Sequence, residues 1–216
     1  MSAVLRVELE AMAGAPLVLT PRPEPETLPA AGVPEFGTIP RGALTEICGP
    51  ASSGRTSMAV ALMAEITARE EVCALIDTAG AFDPATAAHA GVRLDRLLWI
   101  RCAGDAERAL KAADLIIQAG GFGLVIFDLG DTPLRHARRI SLTSWFRLRR
   151  AVENTPSAII VIAQEPLAKT CASLVVEMRR GTPDWSGRLM RGIDAGTRRA
   201  KPRGDMRYVR LHTRLS

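Results

Sequence analysis

Gly49-Pro50-Ala51-Ser52-Ser53-Gly54-Arg55-Thr56 decides how this chain folds. Ahead of it, ALTEIC (43–48) is a short apolar run of strand character. Behind it, SGRTSMAVALMAEITARE (53–70) has the periodicity of a helix. A glycine-framed turn between strand and helix lets backbone N–H groups converge where the helix dipole favours negative charge. The stretch matches the phosphate-binding pattern GxxxxGKS/T except that Arg55 replaces the lysine. Gly49, Ser52, Ser53, Gly54, Arg55, Thr56 and Ser57 are therefore the candidate nucleotide contacts, and the Thr56 hydroxyl is a candidate ligand for Mg²⁺.

Working outward, apolar runs alternate with helical patterns. VCALID (72–77), LLWIRC (97–102), LVIFDLG (124–130) and SAIIVIAQ (157–164) read as strands. DPATAAHAG (83–91), DAERALKAADLIIQAG (105–120) and RRISLTSWFRLRRAVENT (138–155) read as helices. In the helix over 105–120, Ala109, Ala112, Ala113, Ile116 and Ile117 fall on one face. Near-continuous apolar strands, each joined to a helix, indicate an α/β fold with a mostly parallel sheet covered on both faces. SLVVEMRR (173–180) and YVRLHTRL (208–215) look like strands with no intervening helix of normal length, so they are expected to add an antiparallel C-terminal edge. Asp128, ending an apolar strand, is the candidate second carboxylate for the Mg²⁺ water shell.

The flanks differ in texture. Seven of the 14 prolines lie between Pro16 and Pro40, which marks a surface linker. Before it, Leu5 to Glu10 alternates apolar and charged residues and fits either a strand or a short helix. The expected organisation is an N-terminal segment and linker (1–40), a core (41–180) and a basic C-terminal extension (181–216). From Arg179 onward there are 11 Lys/Arg against 3 Asp/Glu, while the preceding residues hold 17 against 20. A second cluster, Arg135, Arg138, Arg139, Arg147, Arg149 and Arg150, contains no acid. Such patches suit a polyanion or an acidic partner. Arg147, Arg149 and Arg150, with Arg198, Arg199, Lys201, Arg203, Arg207 and Arg210, are the candidate DNA or partner contacts. Trp145 and Phe146 are expected in the core.

Other classes are disfavoured. No run of about 18 apolar residues exists, and the N-terminus lacks the pattern of a signal peptide. Cys48, Cys73, Cys102 and Cys171 form no CxxC pair and read as buried reduced thiols. The three histidines share no metal-ligand spacing. The expected location is the cytoplasm.

GALTEICGPASSGRTS followed by CALIDTAGAFDP, extending through Gln164 to ASLVVEMRR, resembles the nucleotide core of the RecA recombinase family over roughly residues 27–180. The resemblance implies a RecA-like P-loop fold with ATP and Mg²⁺ as cofactors. It also implies roles residue by residue. Asp83 stands where an aspartate contacts adenine, and Gln164 stands where a glutamine couples the γ-phosphate to DNA. Two positions depart from the family. Ala79 in Asp77-Thr78-Ala79 replaces the glutamate that positions the attacking water, and Thr86 replaces the aromatic under the base. The segments where the family carries its DNA-binding loops are short. Losing a water-orienting group costs about 10²–10⁴ in rate, and a planar guanidinium does not replace a compact ammonium on the phosphates.

Within the superfamily the pattern is similar to the ImuA branch of short RecA-like proteins. That resemblance implies a non-catalytic or weakly catalytic accessory role in the DNA-damage response and translesion synthesis, with no bound nucleotide required. The implied partners are an ImuB-like polymerase homologue and an error-prone replicative polymerase, with RecA, DNA and a homo-oligomer as further candidates. Two other readings stand beside it: an ATP-dependent DNA-binding recombination protein, and a SulA-like inhibitor of cell division.

Overall fold

The computed structural model describes residues 5–6, 20–21, 27–29, 38–186, 189–201 and 206–212. Two short antiparallel pairs open the chain. β1 (Leu5–Arg6) pairs with β2 (Thr20–Pro21), and β3 (Thr27–Pro29) pairs with β4 (Thr38–Pro40). Of the two conformations open to the N-terminal segment, Leu5–Arg6 takes the strand; residues 7–10 lie outside the described residues.

The core then alternates as expected. The strands are β5 (Ala43–Cys48), β6 (Cys73–Asp77), β7 (Leu97–Arg101), β8 (Leu124–Asp128) and β9 (Ala158–Ala163). The helices between them are α1 (Arg55–Ala68), α2 (Pro84–His89), α3 (Ala106–Ala119), α4 (Leu134–Ala137) and α5 (Leu142–Val152). β10 (Leu174–Ser186), β11 (Leu189–Lys201) and β12 (Met206–His212) complete an eight-stranded sheet of order β12-β11-β10-β5-β9-β8-β6-β7. β10, β5, β9, β8, β6 and β7 run parallel, and β11 and β12 add the antiparallel edge.

Strand alternation explains why neither face can be left wet. In β8, Leu124 and Ile126 enter one core with Met58, Leu62 and Ile66 of α1. Val125 and Phe127 enter the other with Ala109, Ala113 and Ile117 of α3 and Trp145, Leu148 and Val152 of α5. The same division holds for Ile160 against Ile159 and Val161 in β9. A strand apolar at every position needs a helix on each side, and the crossovers of a parallel sheet supply them. The four cysteines are free and buried within this framework, and burial first of all pushes the Cys48 and Cys73 thiols up to about 12.

Three expectations need correction. The strand read over 173–180 is not itself the antiparallel edge: β10 pairs in parallel with β5, and the edge is made by β12 and by β11, which was not read as a strand. The helix read over 138–155 is shorter: α5 runs from Leu142 to Val152 and starts only after Ser141, whose hydroxyl accepts the Ser144 N–H at 3.1 Å, while the separate short helix α4 ends at Ala137. A serine that caps a new helix competes with continuing the old one. Trp145 is buried and packs on Phe127, but Phe146 is 46% exposed.

Candidate functional site

The parallel strands all end on one side of the sheet, and their register gathers the site residues there. Cys48 pairs with Ala163, Asp128 with Ile162, and Asp77 with Asp128. The glycine loop leaves β5 at this edge. Ser52 (φ 59°) and Gly54 (φ 91°) both take the left-handed conformation, which turns the chain into α1. Gly49 is required for a different reason: a Cβ there would lie 2.2 Å from the Met178 carbonyl oxygen of β10. The first helical bond of α1 runs from Met58 N–H to Gly54 O (2.9 Å). No helical carbonyl is placed to accept the N–H groups of Arg55, Thr56 and Ser57, and Thr56 and Ser57 are exposed. The Ser53 hydroxyl is buried and has no hydrogen-bond partner. Thr78 and Thr132, which follow β6 and β8 at the same edge, share this condition. A loop backbone with open donors and a buried hydroxyl fits a phosphate.

The side chains fit Mg·ATP turnover poorly. Arg55 is only 5% exposed and turns under the loop. Its guanidinium donates to Gly49 O at 2.6 Å, Ala163 O at 2.9 Å and Gly130 O at 3.3 Å. Asp131 stands 3.9 Å away at the surface. The cation of the motif thus ties the ends of β5, β8 and β9 together. Five rigidly arranged donors let an arginine hold several carbonyls at once.

Asp128 accepts the Gly130 N–H at 2.8 Å. Burial pushes its carboxyl up to about 6; Asp77 and Asp131 add to the rise, and the Gly130 bond and Arg55 oppose it. Asp77 is committed to the chain itself: it accepts N–H groups of Gly80 (2.7 Å), Ala81 (3.2 Å) and Phe82 (3.1 Å), and the Trp99 indole at 3.1 Å. Ala79 lies exposed in that turn and brings no group able to orient water. Asp83 caps α2, and its carboxyl is held below the usual range first by the Thr86 hydroxyl and then by the Thr86 and Ala85 N–H groups. Gln164 donates its amide to Thr132 O at 3.0 Å. The group around the loop therefore comprises Gly49, Ser52 to Ser57, Asp128 and Gln164, with Asp83 engaged as a helix cap. Among the described residues no cluster of three or more His, Cys, Asp or Glu side chains is arranged to hold a metal ion.

Sequence reasoning passed over two organising residues. Glu46 is buried on β5 and accepts the Leu167 and Ala168 N–H groups at 2.7 and 2.8 Å, fixing the turn after Gln164. A glutamate inside an otherwise apolar strand was the available signal. Lys169 holds a left-handed conformation (φ 50°), which nothing in its local sequence announces.

The basic candidates divide. Arg147 bonds Asp114 at 2.9 Å and Arg149 bonds Glu153 at 3.0 Å, so two of the three α5 arginines are already paired, while Arg150 is exposed. Arg198 pairs with Glu177 across β11 and β10. Arg199, beside it, is half-buried. The side chains of Lys201, Arg207 and Arg210 and all of Arg203 lie outside the described residues. β10 passes beside the loop, and Arg180 donates to Ala51 O at 2.8 Å.

A model of the RecA N-terminal domain matches residues 29–133. Protein RecA of Rickettsia massiliae (strain Mtu5) is 32% identical in an alignment covering 60% of this chain and 41% of that protein. Protein RecA of Chloroflexus aurantiacus (strain ATCC 29364 / DSM 637 / Y-400-fl) is 30% identical over 60% of this chain and 40% of its own length. The chain thus spans about two fifths of the length of these relatives. The solved structure of the RadB recombinase superposes with a TM-score of 0.61 at 18% identity, covering 82% of this chain and 90% of that one. At that identity the likeness is one of fold. No helix among the described residues is long and apolar enough to cross a membrane.

Proposed function

We propose that this chain, similar in sequence to RecA proteins over part of its length and in fold to the RadB recombinase, works as a non-catalytic adaptor in the DNA-damage response. The observation that carries the reading is Arg55: its guanidinium is held by three backbone carbonyls below the phosphate loop. Ala79, where the family places its water-positioning glutamate, supports the same conclusion. The fold is retained while the groups that hydrolysis needs are either engaged elsewhere or absent from their positions. Because the loop backbone still fits a phosphate, weak nucleotide binding is compatible with the reading.

The finer proposal follows the resemblance to the ImuA branch: support of mutagenic translesion synthesis through contacts with a polymerase-like partner and an error-prone replicative polymerase, with RecA and DNA as further contacts. The second reading, an ATP-dependent DNA-binding recombination protein, draws on the likeness to RecA and RadB proteins.

Turnover separates them. Mg·ATP hydrolysis by the purified chain is measured with and without single-stranded DNA, beside a variant carrying Arg55→Lys and Ala79→Glu. The adaptor reading expects no turnover from the wild type under either condition. Brisk, DNA-stimulated hydrolysis by the wild type would replace it with the recombination reading.

A further inference from the structure

A cleft of about 360 Å³ is bounded by α4, the start of α5 and the turn that follows β9. Its lining mixes apolar residues, Ile140, Leu142 and Pro166 among them, with the charged side chains of Arg138, Glu165 and Lys169. Both walls are braced. Glu46 holds the Leu167 and Ala168 N–H groups from below, and Arg138 reaches across to Glu165 with two bonds of 2.7 and 2.8 Å. The cleft therefore exists before any partner arrives, which lowers the ordering cost of filling it.

The apolar surface continues outside. Leu142 is 41% exposed, and Phe146, one turn further along α5, is 46% exposed. The charges around this strip are one-sided. Both carboxylates on the bounding elements are taken, Glu165 by Arg138 and Glu153 by Arg149. The exposed side chains of Lys169, Arg139 and Arg150 form no ion pair among the described residues. Lys169 keeps its place at the rim in a left-handed conformation, strain of a kind that gathers at binding sites.

The geometry points to this cleft as the docking site for an acidic segment of a partner protein that inserts one large apolar side chain between α4 and the Glu165–Lys169 turn. An apolar anchor in a braced pocket supplies the affinity, and the unpaired cations steer an acidic chain and set its register. A single-stranded nucleic acid fits less well: Trp145 is 1% exposed, which leaves Phe146 as one stacking face where successive bases would need several. The inference rests on the adaptor reading, because it names the surface through which the chain would hold its partner.

The test pans a displayed library of short random peptides on the full chain and on its Leu142→Glu and Lys169→Glu variants. Both substitutions fall on exposed side chains, and the thermal midpoints of the variants confirm folding. Enriched peptides are expected to carry acidic residues flanking one large apolar residue. A fluorescent peptide from that pool should lose about tenfold or more in affinity on either variant. Three results overturn the proposal: no enrichment on the wild type, enriched peptides that bind both variants as tightly as the wild type, or an oligothymidylate probe that displaces the peptide and is itself lost on the variants. ATP turnover, measured separately, keeps the two readings apart. An inert chain with an empty cleft leaves the adaptor reading standing, and a turning-over chain with a working cleft removes only that reading.

Discussion

Arg55→Ala should destabilise the chain far more than an ordinary arginine substitution. The guanidinium makes two bonds within 3.0 Å, to Gly49 O and Ala163 O, and a longer one to Gly130 O. Hydrogen bonds to a charged group contribute about 1.5–3 kcal/mol each, and a buried carbonyl left bare costs about 1–3 kcal/mol. Ala163 O also accepts the Gly49 N–H at 3.2 Å, so it would keep a partner. The net loss is then about 2–4 kcal/mol. At this chain length each kcal/mol moves Tm by about 2–4 °C, giving a fall of roughly 5–15 °C. Arg55→Lys should lie between the two, because one ammonium can satisfy fewer of the carbonyls. In exchange that variant frees a cation for the phosphates. Mg·ATP at ~100 times Kd would stabilise it by about 2.7 kcal/mol, while the wild type responds little. Urea and thermal unfolding, with and without Mg·ATP, read both effects. An Arg55→Ala protein within about 0.5 kcal/mol of wild type would refute the bracing role, since that is the scatter of ordinary surface substitutions. An equal nucleotide response from wild type and Arg55→Lys would show that the arginine leaves its carbonyls without cost.

Three further outcomes follow from the same geometry. Asp128 carries a carboxyl raised to about 6 in the folded chain. The native state therefore binds more protons than the unfolded state between the ordinary carboxylate range and pH 6, and stability from this group falls as pH rises through that window. Asp128→Asn should remove a cost of about 2–3 kcal/mol at pH 7 and little below pH 4, read as the pH-dependent difference between variant and wild-type urea midpoints; a difference that does not change with pH would count against the raised pKa. Glu46→Ala should cost about 2–3 kcal/mol and speed hydrogen exchange at the Leu167 and Ala168 amides, whereas unchanged exchange there would mean the clamp is idle. Gly49→Ala places a methyl group against the Met178 carbonyl, so a loss of about 3 kcal/mol or more is expected in urea unfolding, and a wild-type midpoint would show that β10 yields easily.

Much of this was legible in the chain itself. Apolar runs such as Leu124 to Phe127 specify strands buried on both faces whatever their neighbours, because every side chain must leave water. The glycines at 49 and 54 and the helical period after them mark the turn where a phosphate loop forms. Local chemistry also set the start of α5 at Ser141, although that cap was read as lying inside a helix that begins at 138. The sequence likewise showed that Arg55 departs from the phosphate-loop pattern, and the resemblance to RecA recombinases marked Ala79, since those comparisons need only residue identity and order.

Where those side chains point was decided by the tertiary structure. Arg55 finds its acceptors at Gly130 and Ala163, 75 and 108 residues away along the chain, and no local pattern encodes a carbonyl that another strand will supply. Arg147 and Arg149 look alike in sequence to Arg150, yet Asp114 on α3 and Glu153 one turn on take the first two. Glu46 becomes the brace of a distant turn only because parallel pairing sets β5 beside β9. Burial pattern and turn chemistry are properties of neighbouring residues and can be read along the chain. Pairing, exposure and the aim of a charge depend on which strand ends meet, and that is fixed only when the sheet closes over both cores.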